Sequence, residues 1–177
     1  MDTFGQLPED PGKIANKIKT EVRQLVKDGR PDWNEKIKEV LRRLGKEKGY
    51  GVYPDPEEKN GEWLLDVIWL DRKTGAIRLA AESELGSEGE ALDDFQKLLC
   101  IKAPLKIMIY YVYKKPFLNK FGDYMTNFDQ HVRGEHYLLI EFAPGPTGPA
   151  DRAYLYQVPS HGRLAEVKFD GRILGPH

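Results

Sequence analysis

The sequence predicts a mixed α and β architecture, a central sheet flanked by helices, and three observations carry that expectation. Two amphipathic helical stretches open the chain. Three stretches of strand length follow, punctuated by turn-forming residues, and helical and strand-like segments then alternate toward the carboxy terminus. At 177 residues there is material for one sizeable core, so residues 1–177 are read as a single domain.

Each element has its own signal. From Lys13 to Lys27, Ile14, Ile18, Val22 and Leu25 recur at helical spacing, and Gly29 followed by Pro31 ends the run. Asp32 is placed to cap a second helix, with Glu35 three residues on as in a capping box. Trp33, Ile37, Val40, Leu41 and Leu44 line one face of that helix, and Gly49 marks its end. Tyr50–Tyr53 reads as a short strand, PDPEEKNG as loop chemistry, and EWLLDVIWL, residues 62–70, as a strand covered on both faces and antiparallel to the first. The turn DRKTG leads into a third strand, Ala76–Glu84. Between Glu88 and Ile101 the apolar positions Ala91, Leu92, Phe95, Leu98 and Leu99 return to helical spacing, with acids gathered at the amino end, where the helix dipole favours them. LKIMIYYVY lacks alternation and reads as a strand buried in the sheet. Phe117, Phe121, Met125, Phe128 and Val132 step by fours and threes as a further helix whose aromatic stripe is core. EHYLLIEFA, AYLYQV and LAEVKF are the remaining strands, with GPTGPAD a loop between the first two.

Composition narrows the function classes. With 40% hydrophobic and 31% charged residues the chain has the make-up of a soluble globular protein, and its longest apolar runs fall short of a membrane span, so no membrane partner is expected. MDTFGQLPEDPGK has no basic segment followed by an apolar one, which leaves a cytoplasmic location as the default. A formal net charge of −1 gives no global attraction to nucleic acid, so any such binding must come from a local patch. Arg42, Arg43, Lys46 and Lys48, or Lys114, Lys115 and Lys120, are the basic groups available. Interspersed acids make both groups read first as ordinary solvated faces. Cys100 is the only cysteine; it excludes an internal disulfide and a multi-cysteine zinc site, and KLLCIKAPL reads it as a core residue. Gly134 between His131 and His136 argues against a ligating helical pair, Ser83 and Ser87 have no histidine nearby in sequence, and no glycine-rich phosphate loop is present.

The informative residues lie on the middle strands. Asp66 stands inside the apolar run EWLLDVIWL, and holding an ionised carboxylate away from water costs several kcal/mol by order of magnitude unless a cation, a metal or hydrogen-bond donors compensate it. Two-residue periodicity turns Glu82 and Glu84 to one face of the third strand and Ser83 to the other. A hairpin between the two strands brings Asp66 across from those glutamates, and three converging carboxylates call for protons or a divalent cation. Oxygen-only ligands suit magnesium or manganese. The alternative is a structural ion pair between Asp66 and Arg78 or another base.

The pattern Asp66-x15-Glu82-x-Glu84, on adjacent strands after one helix and before another, resembles the PD-(D/E)XK nuclease superfamily, which includes many restriction endonucleases and Holliday junction resolvases. The resemblance covers roughly residues 33 to 113. It implies a restriction-endonuclease-like αβββαβ core and a nuclease that hydrolyses phosphodiester bonds of nucleic acid, DNA by family analogy, with a homodimer as a known arrangement. It also implies that Asp66 and Glu82 hold Mg2+ or Mn2+, which stabilises charge on the phosphate and activates the attacking water. Glu84 stands where the family has lysine, and the resemblance makes it a ligand for a second ion or a base. Some members supply the lysine from the following helix, where Lys97 is the candidate. An acid of the preceding helix often joins the site, and Glu35 and Glu39 are the acids available there, although helical spacing turns both away from the apolar face. The rival expectation is a noncatalytic protein of the same fold, acting as a binding or interaction module.

Overall fold

A computed structural model of the chain describes residues 9–27, 32–60, 64–112, 117–142, 152–158 and 165–167. Gly29, Pro31, Glu62, Trp63, Lys114, Lys115 and the GPTGPAD loop lie outside those residues. The amino-terminal helices are α1 (Pro11–Lys27) and α2 (Trp33–Glu47). There follow β1 (Gly51–Tyr53), β2 (Val67–Leu70), β3 (Ile77–Glu84), α3 (Glu88–Cys100), β4 (Leu105–Tyr111), α4 (Leu118–Asn127), β5 (His136–Phe142), β6 (Arg152–Gln157) and β7 (Ala165–Val167). From α2 to β4 the order is helix, three strands, helix, strand, the order expected from the sequence.

The described strands form one mixed sheet in which sequence order is also spatial order. β1, β2 and β3 run antiparallel in turn, β3, β4 and β5 are parallel, and β6 and β7 return antiparallel. Each parallel step needs a crossover, and α3 and α4 supply them. Period-two alternation divides the strand residues between two helical layers. Val67, Trp69, Leu79, Leu105 and Ile107 pack with Ile14, Ile18, Ile37 and Leu41 of α1 and α2. Ile68, Ala80, Met108, Tyr110 and Leu139 pack with Phe95, Leu98, Phe121 and Met125 of α3 and α4. Both faces of the central strands are thus covered, which is why LKIMIYYVY carries no polar alternation.

α2 meets the sheet closely at β2. The Trp69 indole Nε1 donates to the Leu41 carbonyl at 2.9 Å. The same ring fills the space beside Gly45, where a Cβ would stand 2.7 Å from Nε1. A glycine inside a helix weakens it, and here its missing side chain admits the indole.

Several expectations change at this level. Asp66 precedes β2 rather than sitting within it, because pairing with β3 begins only at Val67. Asp32 makes no side-chain cap, and the Glu35 carboxylate that would complete a capping box is taken by Arg42. The capping box occurs instead at α3, where Ser87 Oγ accepts from Glu90 N and the Glu90 carboxylate accepts from Ser87 N. α4 stops at Asn127, short of Val132. Cys100 is exposed, not core: it ends α3 directly after the buried Leu98 and Leu99.

Candidate active site

The β2–β3 hairpin positions the acids. Its turn is organised by Asp71, whose Oδ1 accepts from Lys73 N and Thr74 N at 2.9 and 3.0 Å and whose Oδ2 accepts from Arg78 at 2.8 Å. The Arg78 guanidinium, followed by the turn amides, holds the Asp71 carboxyl well below the usual carboxylate range. Arg78 is thus engaged at the turn, and a different base serves Asp66. The register that follows pairs Val67 with Ala81, which sets Asp66 opposite Glu82.

The two acids are interlocked through the backbone. Asp66 N donates to Glu82 Oε2 at 3.2 Å, and Ser83 N donates to Asp66 Oδ2 at 2.9 Å. Each carboxylate thereby keeps one oxygen free of backbone donors, Asp66 Oδ1 and Glu82 Oε1. Lys38 of α2 meets the first, its Nζ 2.5 Å from Oδ1. Glu82 Oε1 is buried without a hydrogen-bond donor, and Lys97 Nζ of α3 stands 3.8 Å away, paired at 2.5 Å with Asp94. Burial, then the neighbouring Asp66 and Asp94 charges, push the Glu82 carboxyl up to about 8, against the opposing effects of the Asp66 amide and Lys97. The Lys97 ammonium is held above its ordinary value, first by its hydrogen bond to Asp94.

Glu84 lies on the same strand face as Glu82 but accepts a hydrogen bond from Gly86 N, two residues on. Burial raises its pKa above the usual carboxylate value. Among the described residues no group of three or more carboxylate, histidine or cysteine side chains is arranged to hold one ion. The expected three-acid convergence is therefore reduced to the pair Asp66 and Glu82. Two carboxylates with no soft ligand form a donor set suited to a hard divalent cation, and the unpartnered Glu82 Oε1 is the acceptor such an ion would use.

The acids open onto a cleft of about 440 Å³ between α2 and α3, lined among others by Asn34, Lys38, Arg42, Asp66, Glu82 and Lys97. Leu64, 63% exposed, stands at its rim. Lys38 is the residue that sequence reasoning missed. A signal was present: Asn34, Lys38 and Arg42 recur every fourth residue beside the apolar stripe of α2, so one helical row faces the cleft. Glu39 pairs with Lys36 at 2.7 Å instead of joining the acids. His131 serves the scaffold, its Nδ1 3.0 Å from the Tyr137 hydroxyl and its Nε2 2.7 Å from the Met125 carbonyl.

No helix among the described residues is long and apolar enough to cross a membrane. Comparison with protein-family models, with curated proteins and with solved structures found no match.

Proposed function

We propose that this protein is a magnesium- or manganese-dependent nuclease, or a diverged relative of one, acting on phosphodiester bonds of nucleic acid and, by family analogy, on DNA. The observation that carries the reading is the acid pair: Asp66 and Glu82 face each other across the hairpin, each with one oxygen free of backbone donors, in a cleft whose walls carry Lys38, Arg42 and Lys97. Carboxylates beside cations in an open groove suit a phosphate backbone and the ion that accompanies it.

Asp66 and Glu82 are the residues that would hold the ion. When bound, it supplies charge stabilisation at the phosphate oxygens and lowers the pKa of a coordinated water. Glu82 would have to be ionised to hold the ion, and burial, followed by the Asp66 and Asp94 charges, raises its pKa to about 8. Lys97, oriented by Asp94, contributes the positive charge that position 84 lacks. Glu84, raised by burial, is the base nearest the pair along β3. The experiment is cleavage of supercoiled and linear DNA with each ion, beside Asp66→Ala and Glu82→Gln. Ion-dependent cleavage reduced by roughly a hundredfold or more in both variants is expected. Failure to cut DNA or RNA under any of these conditions sinks the reading.

One observation favours a second reading, a noncatalytic binding or assembly protein of the same fold. Lys38 and Ser83 N already satisfy both oxygens of Asp66 from within the chain. In that case the wild type shows no ion-dependent cleavage, and Asp66→Ala, which breaks both contacts under either reading, costs stability with no activity to lose, whereas in the enzyme it abolishes cleavage as well.

A further inference from the structure

Asp66 and Glu82 divide their oxygens in the same way. One oxygen of each is fixed by a backbone amide of the partner strand, Oδ2 by Ser83 N and Oε2 by Asp66 N. The other oxygen of each is what the pair can offer a cation. Glu82 Oε1 is buried and unpartnered, with Lys97 beyond hydrogen-bond reach at 3.8 Å. Asp66 Oδ1 is already taken, by an ammonium 2.5 Å away. A divalent ion at a carboxylate–oxygen bonding distance and an ammonium on the same atom repel each other strongly, because the site is partly shielded from water. One must leave.

Lys38 is built to leave. It reaches Asp66 along a flexible four-carbon stem from α2, and its head can swing without any change in the helix backbone. The cleft it lines gives it room, beside Arg42 one helical turn further on. We infer that Lys38 is an internal counter-ion competing with the divalent cation for Asp66 Oδ1, displaced when the ion binds and turned into the cleft as a phosphate-binding cation. The inference rests on the reading of Asp66 and Glu82 as an ion site. It adds that the chain carries its own competitor for that site, so that ion binding and phosphate binding favour each other through Lys38.

The test is calorimetric titration of Mn2+ into the full chain, nucleic acid absent, for the wild type, Lys38→Met, Lys38→Arg and Asp66→Asn. Removing a charge-assisted partner from Asp66 makes Lys38→Met bind Mn2+ about tenfold more tightly or better, while Lys38→Arg stays near wild type and Asp66→Asn loses saturable binding. Lys38→Gln, which keeps the length and polarity of the side chain, carries the same expectation as Lys38→Met. Equal or weaker binding in both neutral variants, with binding still lost in Asp66→Asn, overturns the role of Lys38 and leaves the ion site standing. Absence of saturable binding in every form, the neutral variants included, overturns the ion site and this inference with it.

Discussion

Glu82 is an acid whose ionisation works against the fold. Its folded pKa, about 8, lies above the ordinary value of 4.5 because burial and then Asp66 and Asp94 disfavour the charge. A carboxyl of this kind binds its proton more tightly in the native state than in the unfolded chain. Its contribution to stability is fully present below the unfolded pKa and is lost as pH rises from about 4.5 through about 8. Glu82→Gln keeps the shape of the neutral acid without its ionisation. In chelator, the variant is expected to match the wild type at acid pH and to exceed it by on the order of 2 kcal/mol above pH 8, read from urea unfolding across the range. Parallel curves would show that Glu82 is not the group responsible. At this scale the sequence spoke clearly about need and poorly about partners. The apolar setting of Asp66 required compensation, yet Lys38 lies on another element, and only the way α2 crosses the sheet brings it to Oδ1. Cys100 failed similarly, because an apolar neighbourhood in sequence does not say which side of a helix end faces water.

Among the elements, α3 matters most to the site, since it carries Asp94 and Lys97. Its start is secured by reciprocal hydrogen bonds between Ser87 and Glu90, which satisfy amides that a helix amino end leaves without partners. Ser87→Ala is expected to cost about 1 kcal/mol in chemical denaturation. Asp32→Ala at α2, where no side-chain cap bond exists, should cost distinctly less. An equal loss at both positions would contradict the assignment of caps. The helical periodicity of α1, α2 and α3, and the continuous apolar runs of strand length between turn-forming residues, made these elements legible. Asp32 does not cap α2, and the reciprocal half of the expected box is lost as well because Glu35 pairs with Arg42, a seven-residue contact that no local pattern announces.

Across the whole molecule, the parallel strands separate two polar regions. The acid pair lies toward the carboxyl end of β3, and a buried network occupies the amino ends of β4 and β5. There Lys106, fully buried in β4, contacts Glu135 Oε1 at 3.2 Å and donates to the Tyr137 hydroxyl at 3.0 Å and the Leu99 carbonyl at 3.2 Å. Burial lowers the Lys106 pKa while Glu135 pulls it back up. Lys106→Met, which takes the ammonium from the buried Glu135 carboxylate and leaves it the Tyr137 hydroxyl as donor, is expected to destabilise the protein by about 3–5 kcal/mol. Adding Glu135→Leu should recover most of that loss, and thermal unfolding of the single and double variants checks both statements. The element order and the covered central sheet were readable from pattern alone. Lys106 was not, because one lysine inside LKIMIYYVY says nothing of a glutamate 29 positions later until β4 and β5 pair.

The described residues that line the cleft all fall between Asn34 and Lys97, and those after Cys100 supply sheet, crossover helix and buried network. The cleft and the carboxy-terminal part of the scaffold are therefore written in successive stretches of the sequence. A lineage can rebuild its carboxy-terminal strands, answerable only to the folding of the sheet, without touching the acids. It can equally discard the acids and keep the scaffold intact for another purpose.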